Sequence, residues 1–336
     1  MDRQSLPAVH VLSTGGTIAG KGASSMNLTE YQAASLHGAE LLASVPEIAC
    51  YADVRVEEVV NVASPDMTPE VWRTLAQRVD ALLSADPALS GVVITHGTST
   101  LEETAYFLHL TVRHDRPVVL VGAQRPSTAI SADGPLNLIN AVRTAAAPAS
   151  KGKGVLVVMN DEINGARDVT KSNTYRLETF RSGELGFLGY VDDDRVVFYK
   201  STTRRHTVLS EFDVTGVDRF PRVEIVYSYA GSSSAPAYAL AAEGVDGIIF
   251  AATGAGSLSQ AEQDAVRAIG SAPGARPVMM RSSRTGNGRV TARRSFDALG
   301  LIPTDNLSPQ KARILLMLAL TKTRDAAEIA RIFAEY

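Results

Sequence analysis

The sequence holds one cysteine, Cys50, in 336 residues. A single thiol excludes an internal disulfide and any cysteine-rich metal site, and the histidines show no metal-ligand spacing. A basic excess is missing too. The net charge is −3, so no nucleic acid and no membrane surface is advertised as a partner. No apolar run approaches the roughly 18 residues that a membrane span requires. The opening MDRQSLPAVHVL lacks a long signal core, because its apolar run at 9–12 is short and passes straight into a glycine turn. The expected compartment is therefore cytoplasmic, with a periplasmic mature form whose leader has been removed as the alternative. Low-complexity tracts and solenoid periods are absent. What remains is an ordinary globular composition, 45% hydrophobic and 21% charged, in a chain long enough for two domains.

The stretch around which the rest is organised is AVHVLSTGGTIAG, residues 8–20. A short aliphatic run breaks into Ser13-Thr14-Gly15-Gly16-Thr17-Ile18-Ala19-Gly20. This reads as a buried strand that delivers a tight turn at its carboxyl end. Ligands bind at that end in open α/β sheets, and glycines there let backbone N–H groups approach them closely. Three readings compete: a structural turn, a dinucleotide loop, and a hydroxyl nucleophile. A dinucleotide loop needs Gly-x-Gly-x-x-Gly opening a helix. Gly15, Gly16 and Gly20 have the wrong spacing, and a polar segment, 21–27, follows where the helix is needed. A hydroxyl nucleophile needs a base from elsewhere in the chain.

Residues 21–35 are polar, with Tyr31 as their only aromatic, and suit a loop that covers a site; a plain surface loop has the same composition. A short helix at 37–45 and a strand over 54–62 follow. Thr68 caps a helix that has Pro69 at its first position and runs to about Leu83. Strands at 91–94, 117–121 and 154–159 then alternate with helices opened by Glu102 and spanning 136–146. A polar stretch, 160–174, closes this part. Such alternation implies right-handed βαβ units and a parallel sheet covered on both faces. Apolar periodicity is lost over 200–221, which marks an interdomain connection. Strands at 223–227, 247–251 and 277–280, a short helix over 236–242 that starts with its proline, and helices beyond the Ser259/Glu262 capping box, Ser308 and Asp325 form a second unit. The expected fold class is α/β with two domains: a large N-terminal, mostly parallel α/β domain over 1–199, a linker over 200–221, and a smaller C-terminal parallel α/β domain over 222–336.

Four strand ends in the first domain carry polar residues: Thr14–Thr17, Ser64, Thr98–Ser99 and Asp168–Lys171. A doubly wound sheet brings such ends to one rim. Hydroxyls next to a lysine suit nucleophilic catalysis without histidine. A lysine serves as a base near neutrality only where its surroundings lower its ordinary pKa of about 10.4. Lys171 is the candidate, acting through the Thr98 hydroxyl; the plainer alternative is a surface lysine paired with Asp168. His96, just where an apolar strand ends, reads as a satisfied, partly buried histidine with no chemistry.

Several motifs say more. Thr14–Gly20, Thr95-His96-Gly97-Thr98, Leu101-Glu102-Glu103-Thr104-Ala105 and Gly122-Ala123-Gln124-Arg125-Pro126-Ser127-Thr128 stand in one order. Ser131-Ala132-Asp133-Gly134-Pro135, Met159-Asn160-Asp161, Gly165–Lys171 and Ser308–Arg313 follow them. Together they closely resemble the bacterial-type L-asparaginase family, over essentially the whole chain. The resemblance implies an amidohydrolase that converts L-asparagine to L-aspartate and ammonia through an acyl-enzyme, with no metal or cofactor. By motif, Thr17 matches the nucleophile, Tyr31 its activating neighbour, and Thr98 with Lys171 the second catalytic pair. Ser64 matches a contact to the substrate carboxylate, and Ser99, Gly16 and Gly97 line the same pocket. A backbone N–H near Thr98 can steady the oxyanion. Which threonine attacks first stays open. The resemblance also implies a homotetramer, a dimer of tight dimers.

The departures from the family pattern are informative. Ser99 stands where the family has Asp or Asn holding the substrate α-ammonium. Pro65 replaces the usual Gln or Glu beside the substrate serine, Ala255 replaces an Asn that reaches a neighbouring subunit's site, and arginines occupy 293–294 where an acidic residue is expected. The expectation is a competent hydroxyl–lysine site with weakened or altered α-amino recognition. Glutaminase–asparaginase activity and a catalytically quiet amino-acid-binding protein are the alternatives.

Overall fold

Aliphatic and β-branched residues at 9–12 and 92–94 give two neighbouring strands with almost no exposed side chain, as a sheet covered on both faces requires. In the computed structural model, which describes residues 6–336, they lie at the centre of the larger of two compact units, Met1–Glu211 and Phe212–Tyr336. The division falls inside the 200–221 stretch.

The larger unit begins with β1 (Ala8–Gly15), the two-residue strands β2 (Lys21–Gly22) and β3 (Tyr31–Gln32), helix α1 (Gly38–Ala43) and β4 (Asp53–Val62). Next come α2 (Pro69–Ala85), β5 (Leu89–Thr95), α3 (Leu101–Thr111), β6 (Val118–Val121), α4 (Gly134–Ala146) and β7 (Val155–Met159). It ends with β8 (Glu162–Gly165), β9 (Thr170–Lys171), β10 (Phe180–Arg181), β11 (Gly189–Val191) and β12 (Val196–Phe198). The main sheet has the order β12-β11-β8-β7-β6-β5-β1-β4. From β4 to β7 neighbours are parallel, and β8, β11 and β12 add an antiparallel edge. The chain leaves β1 for β4 on one side, then returns to place β5 on the other. That reversal makes the carboxyl ends of β1 and β5 a topological switch point, the place where α/β sheets bind their ligands.

Three stretches differ from the sequence expectation. Residues 21–35 are not all loop, because Lys21 pairs with Gln32 and Gly22 with Tyr31 in a short antiparallel ladder. The polar stretch 160–174 contains β8 and β9, and residues 180–198 contain three further strands. Elements of two to four residues are too short for an apolar period to register in sequence.

The smaller unit is a four-stranded parallel sheet, in order β13 (Val223–Tyr227), β14 (Gly247–Ala252), β15 (Val278–Ser283) and β16 (Ile302–Pro303). Its helices are α5 (Ala235–Ala242), α6 (Gln260–Ser271), α7 (Arg294–Asp297), α8 (Pro309–Ala319) and α9 (Ala326–Glu335). The expected capping box is present: Ser259 accepts from the Glu262 amide and Glu262 returns a bond to the Ser259 amide.

Candidate active site

The turn after β1 is built by two successive glycines with positive φ, Gly15 at 94° and Gly16 at 83°, a region that costs other residues conformational energy. Space is as restrictive as torsion. A Cβ on Gly16 would lie 2.3 Å from the Gly97 nitrogen, and one on Gly97 would lie 2.7 Å from Ser64 Oγ. The backbones of the two strand-end turns therefore touch, and Ser64 sits against them. Thr17 and Thr98 are the next residues along each chain segment, and Thr17, Ser64 and Thr98 are all buried. Thr100 Oγ1 donates to the Ser64 carbonyl at 2.7 Å, which fixes Ser64 to the turn after β5.

The structure separates the two threonines of the first motif. Thr14 Oγ1 donates to the Thr95 carbonyl at 2.7 Å, a cross-strand tie at full burial. Thr17 Oγ1 instead meets the Tyr31 hydroxyl at 2.7 Å. Tyr31 reaches it from β3, and its ring packs over Gly20, where an added Cβ would come within 2.9 Å of the ring. The loop is fastened at both ends. The Ala34 amide donates to the Gly16 carbonyl, and the Ser35 and Leu36 amides to that of Ala19. Ser127 donates to the Gly20 carbonyl through its amide and its hydroxyl, and the Gly22 amide donates to Thr128 Oγ1. The turn at 122–128 is held in its turn by Asp133, whose carboxylate accepts from the Gln124 and Arg125 amides at 2.9 Å each.

The second pair is equally direct. Lys171 Nζ lies 2.7 Å from Thr98 Oγ1, while Asp168 pairs with Arg167 at 3.1 Å. The reading of Lys171 as a partner of Asp168 thus gives way to the Thr98 contact. Burial pushes the Lys171 ammonium below the usual lysine range, and the Glu102 charge works against that shift. Desolvation is the larger effect, so the amine moves toward what a base needs.

His96 is fully buried rather than partly. Its Nδ1 lies 2.8 Å from the Gly97 carbonyl, so this nitrogen carries the proton, and Nε2 lies 2.8 Å from Thr104 Oγ1. Thr104 Oγ1 also accepts from Trp72 Nε1 at 2.8 Å. A directed chain results, Trp72 to Thr104 to His96 to Gly97, which fixes one neutral tautomer. Burial lowers the imidazole pKa to about 4.

Ser99 and Pro65 are exposed beside their buried neighbours. Sequence reasoning gave Glu102 no role in the site. It is buried in the first turn of α3 and accepts from Thr170 Oγ1 at 2.7 Å and from the Lys171 amide at 2.5 Å. No group of His, Cys, Asp and Glu among the described residues is placed to hold a metal ion.

A family model described as "Asparaginase, N-terminal" matches residues 8–204, and one described as "Glutaminase/Asparaginase C-terminal domain" matches 222–333. The chain is 48% identical over 335 residues to a protein named L-asparaginase 2 of Bacillus subtilis (strain 168), covering 100% of this chain and 88% of that one. It is 44% identical over 334 residues to a glutaminase-asparaginase of Pseudomonas fluorescens biotype A, covering 98% and 91%. The crystal structure of a probable cytoplasmic L-asparaginase from Campylobacter jejuni superimposes with a TM-score of 0.94 at 43% identity, over 99% of this chain and 100% of that one. With both domain models matched in order and relatives aligned over nearly their full lengths, the chain belongs to the asparaginase family.

Proposed function

We propose that the chain hydrolyses the side-chain amide of L-asparagine to L-aspartate and ammonia, through a threonine acyl-enzyme. The observation that carries this reading is the pair of hydroxyl contacts, Thr17 with Tyr31 and Thr98 with Lys171, on two turns whose backbones touch. Thr17 Oγ1 forms the new bond to the amide carbon while its proton passes through the Tyr31 hydroxyl, which accepts it and gives its own to the amide nitrogen. The carbonyl electrons move onto oxygen, facing N–H groups such as that of Thr98, which the surrounding backbone bonds leave unused. Collapse breaks the C–N bond, and the protonated nitrogen leaves as ammonia. Water then attacks the ester, its proton passing through Thr98 to the Lys171 amine; the acyl C–O bond breaks, and that proton is returned to the Thr17 oxygen, restoring its hydroxyl and the amine. A second order of events is favoured by the 2.7 Å Lys171–Thr98 contact, in which Thr98 attacks first. Ammonia release by wild type, Thr17→Ala and Thr98→Ala, with intact mass of quenched enzyme, tests both. An acyl adduct retained on Thr17→Ala would overturn the first order, and full turnover by both variants would overturn the site.

Ser64, Gly16 and Gly97 frame the substrate carboxylate in this reading, and Ser99 faces the α-ammonium without a charge. Losing a counter-ion to a buried ammonium costs about 2–5 kcal/mol, so L-asparagine is held weakly where nothing else compensates. Ser99→Asp should lower KM for L-asparagine about tenfold or more, and an unchanged KM would show that Ser99 lies off the amino group. Discrimination against glutamine rests on one methylene, about 1–3 kcal/mol, so some glutaminase activity is expected.

The assembly we propose is a homotetramer. The smaller unit exposes Ile225, Tyr227, Tyr229 and Tyr238, and α5, APAYALAA, has no charged residue to turn toward water. Light scattering measures the mass. The compartment proposed is cytoplasmic, as titled for the Campylobacter jejuni protein, although a 44% identical Haemophilus influenzae relative is named periplasmic; fractionation decides.

A further inference from the structure

A base that works through a 2.7 Å contact must be held still, and lysine is the side chain least suited to stillness. Its flexible four-carbon stem gives up rotamer freedom when it is fixed. Lys171 also sits on a strand of only two residues, β9, whose ladder with β10 pairs Lys171 with Phe180 and Thr170 with Arg181. Such a strand is not stable by itself. Something outside the hairpin has to grip it.

Glu102 makes that grip. One oxygen, Oε2, accepts both the Thr170 hydroxyl and the Lys171 amide, which fills the two lone pairs of a carboxylate oxygen. Both bonds are half-buried and charge-assisted, the stronger kind. Glu102 itself cannot wander: it is 5% exposed, rooted in the first turn of α3, where the helix dipole favours a negative charge. The same helix begins three residues after Thr98, so one rigid segment carries both the target hydroxyl and the clamp on the amine. The other charges near Lys171 are engaged elsewhere. Arg181, on β10, is turned to Glu178 at 2.8 Å, and Asp168, upstream on the same segment, is held by Arg167. Glu102 is the carboxylate that acts electrostatically on the Lys171 ammonium.

We propose that Glu102 is a positioning residue for the amide hydrolysis: by gripping Thr170 and the Lys171 amide it aims Nζ at Thr98. Its negative charge also favours the protonated amine, against the larger effect of burial. The role rests on the proposed function and is separable from it. The two halves of the role make different predictions. Removing the charge while keeping an acceptor of the same shape lets the ammonium lose its proton at lower pH, because the group that favours the charged form is gone. Removing the grip while keeping the charge misaligns Nζ and leaves the titration in place.

The test is the pH profile of kcat/KM for ammonia release by wild type, Glu102→Gln and Thr170→Val. Alongside it runs the pH dependence of Lys171 acetylation, read by peptide mass spectrometry without any turnover. Glu102→Gln should move the acid limb and the labelling curve to lower pH together. On the wild-type limb its activity, relative to its own plateau, then rises about threefold. Thr170→Val should lower the plateau kcat about tenfold, with KM and the limb unmoved. Superimposable limbs and labelling curves for wild type and Glu102→Gln would overturn the electrostatic half, and a wild-type kcat in Thr170→Val would overturn the grip. Should Glu102→Gln fail to fold, Glu102→Asp replaces it: one methylene short, it should keep the limb and lose kcat, and wild-type kcat there would overturn the proposal. If wild type releases no ammonia from any amide, the functional reading fails, while the labelling curves still judge Glu102.

Discussion

The two hydroxyl centres are built on opposite plans. Thr98 and Lys171 are fixed from below: His96 and Trp72 lock the turn after β5, and the buried Glu102 locks β9. Thr17 has a rigid root in the Gly15-Gly16 turn, but its partner Tyr31 arrives on a two-residue ladder with exposed neighbours on both strands. A segment with few buried contacts opens at low free-energy cost. The comparison teaches how one site combines precision with access. The Thr98–Lys171 pair belongs to the frame, and the Thr17–Tyr31 pair is completed only when residues 21–32 are seated.

The sharpest break of this comparison is to remove each centre in turn. Thr17→Ala should reduce kcat by about 10³-fold or more, and Lys171→Met by about 10²–10⁴-fold, both measured as ammonia release. If either variant turned over normally, its centre would be a scaffold and not a participant. Tyr31→Phe should cost less, about 10- to 100-fold in kcat, because the loop still closes over the site. Limited proteolysis should cut within 21–30 before it cuts the 95–104 segment, and substrate should slow that cut.

The frame has its own signature in stability. Because burial holds the His96 pKa at about 4 against about 6.5 unfolded, the unfolded chain binds more protons between those values. The stabilisation is complete above pH 6.5 and is lost as pH falls toward 4, by on the order of 3 kcal/mol. Urea unfolding at several pH values measures it, and His96→Asn should flatten that part of the curve. Gly16→Ala is the smallest change on paper, one methyl at φ 83° and 2.3 Å from Gly97. It should lower the melting temperature by several degrees and depress both centres together.

Much of this was legible in the chain. Aliphatic runs ended by glycine and threonine placed the parallel strands and the rim, since a buried strand and its turn each leave a strong local mark. The pairing of Lys171 with Thr98 could be suspected but not separated from a pairing with Asp168, because a lysine stem reaches either and only the path of β9 chooses. Strands β8 to β12 left no mark because pairing, not periodicity, makes them strands. Glu102 was hidden for another reason. In sequence it is the ordinary acidic residue of a helix first turn, and its second duty depends on a segment 68 residues away.

One feature of the frame has a practical use. Trp72 is the only tryptophan in the sequence, and its indole N–H heads the relay that ends on the Gly97 carbonyl. Emission excited beyond the absorption of the ten tyrosines therefore comes from a single fluorophore wired to the turn after β5. Acidification that charges the imidazole, or an amide settling against Gly97, should alter its brightness or colour, which makes the molecule its own optical sensor without a label.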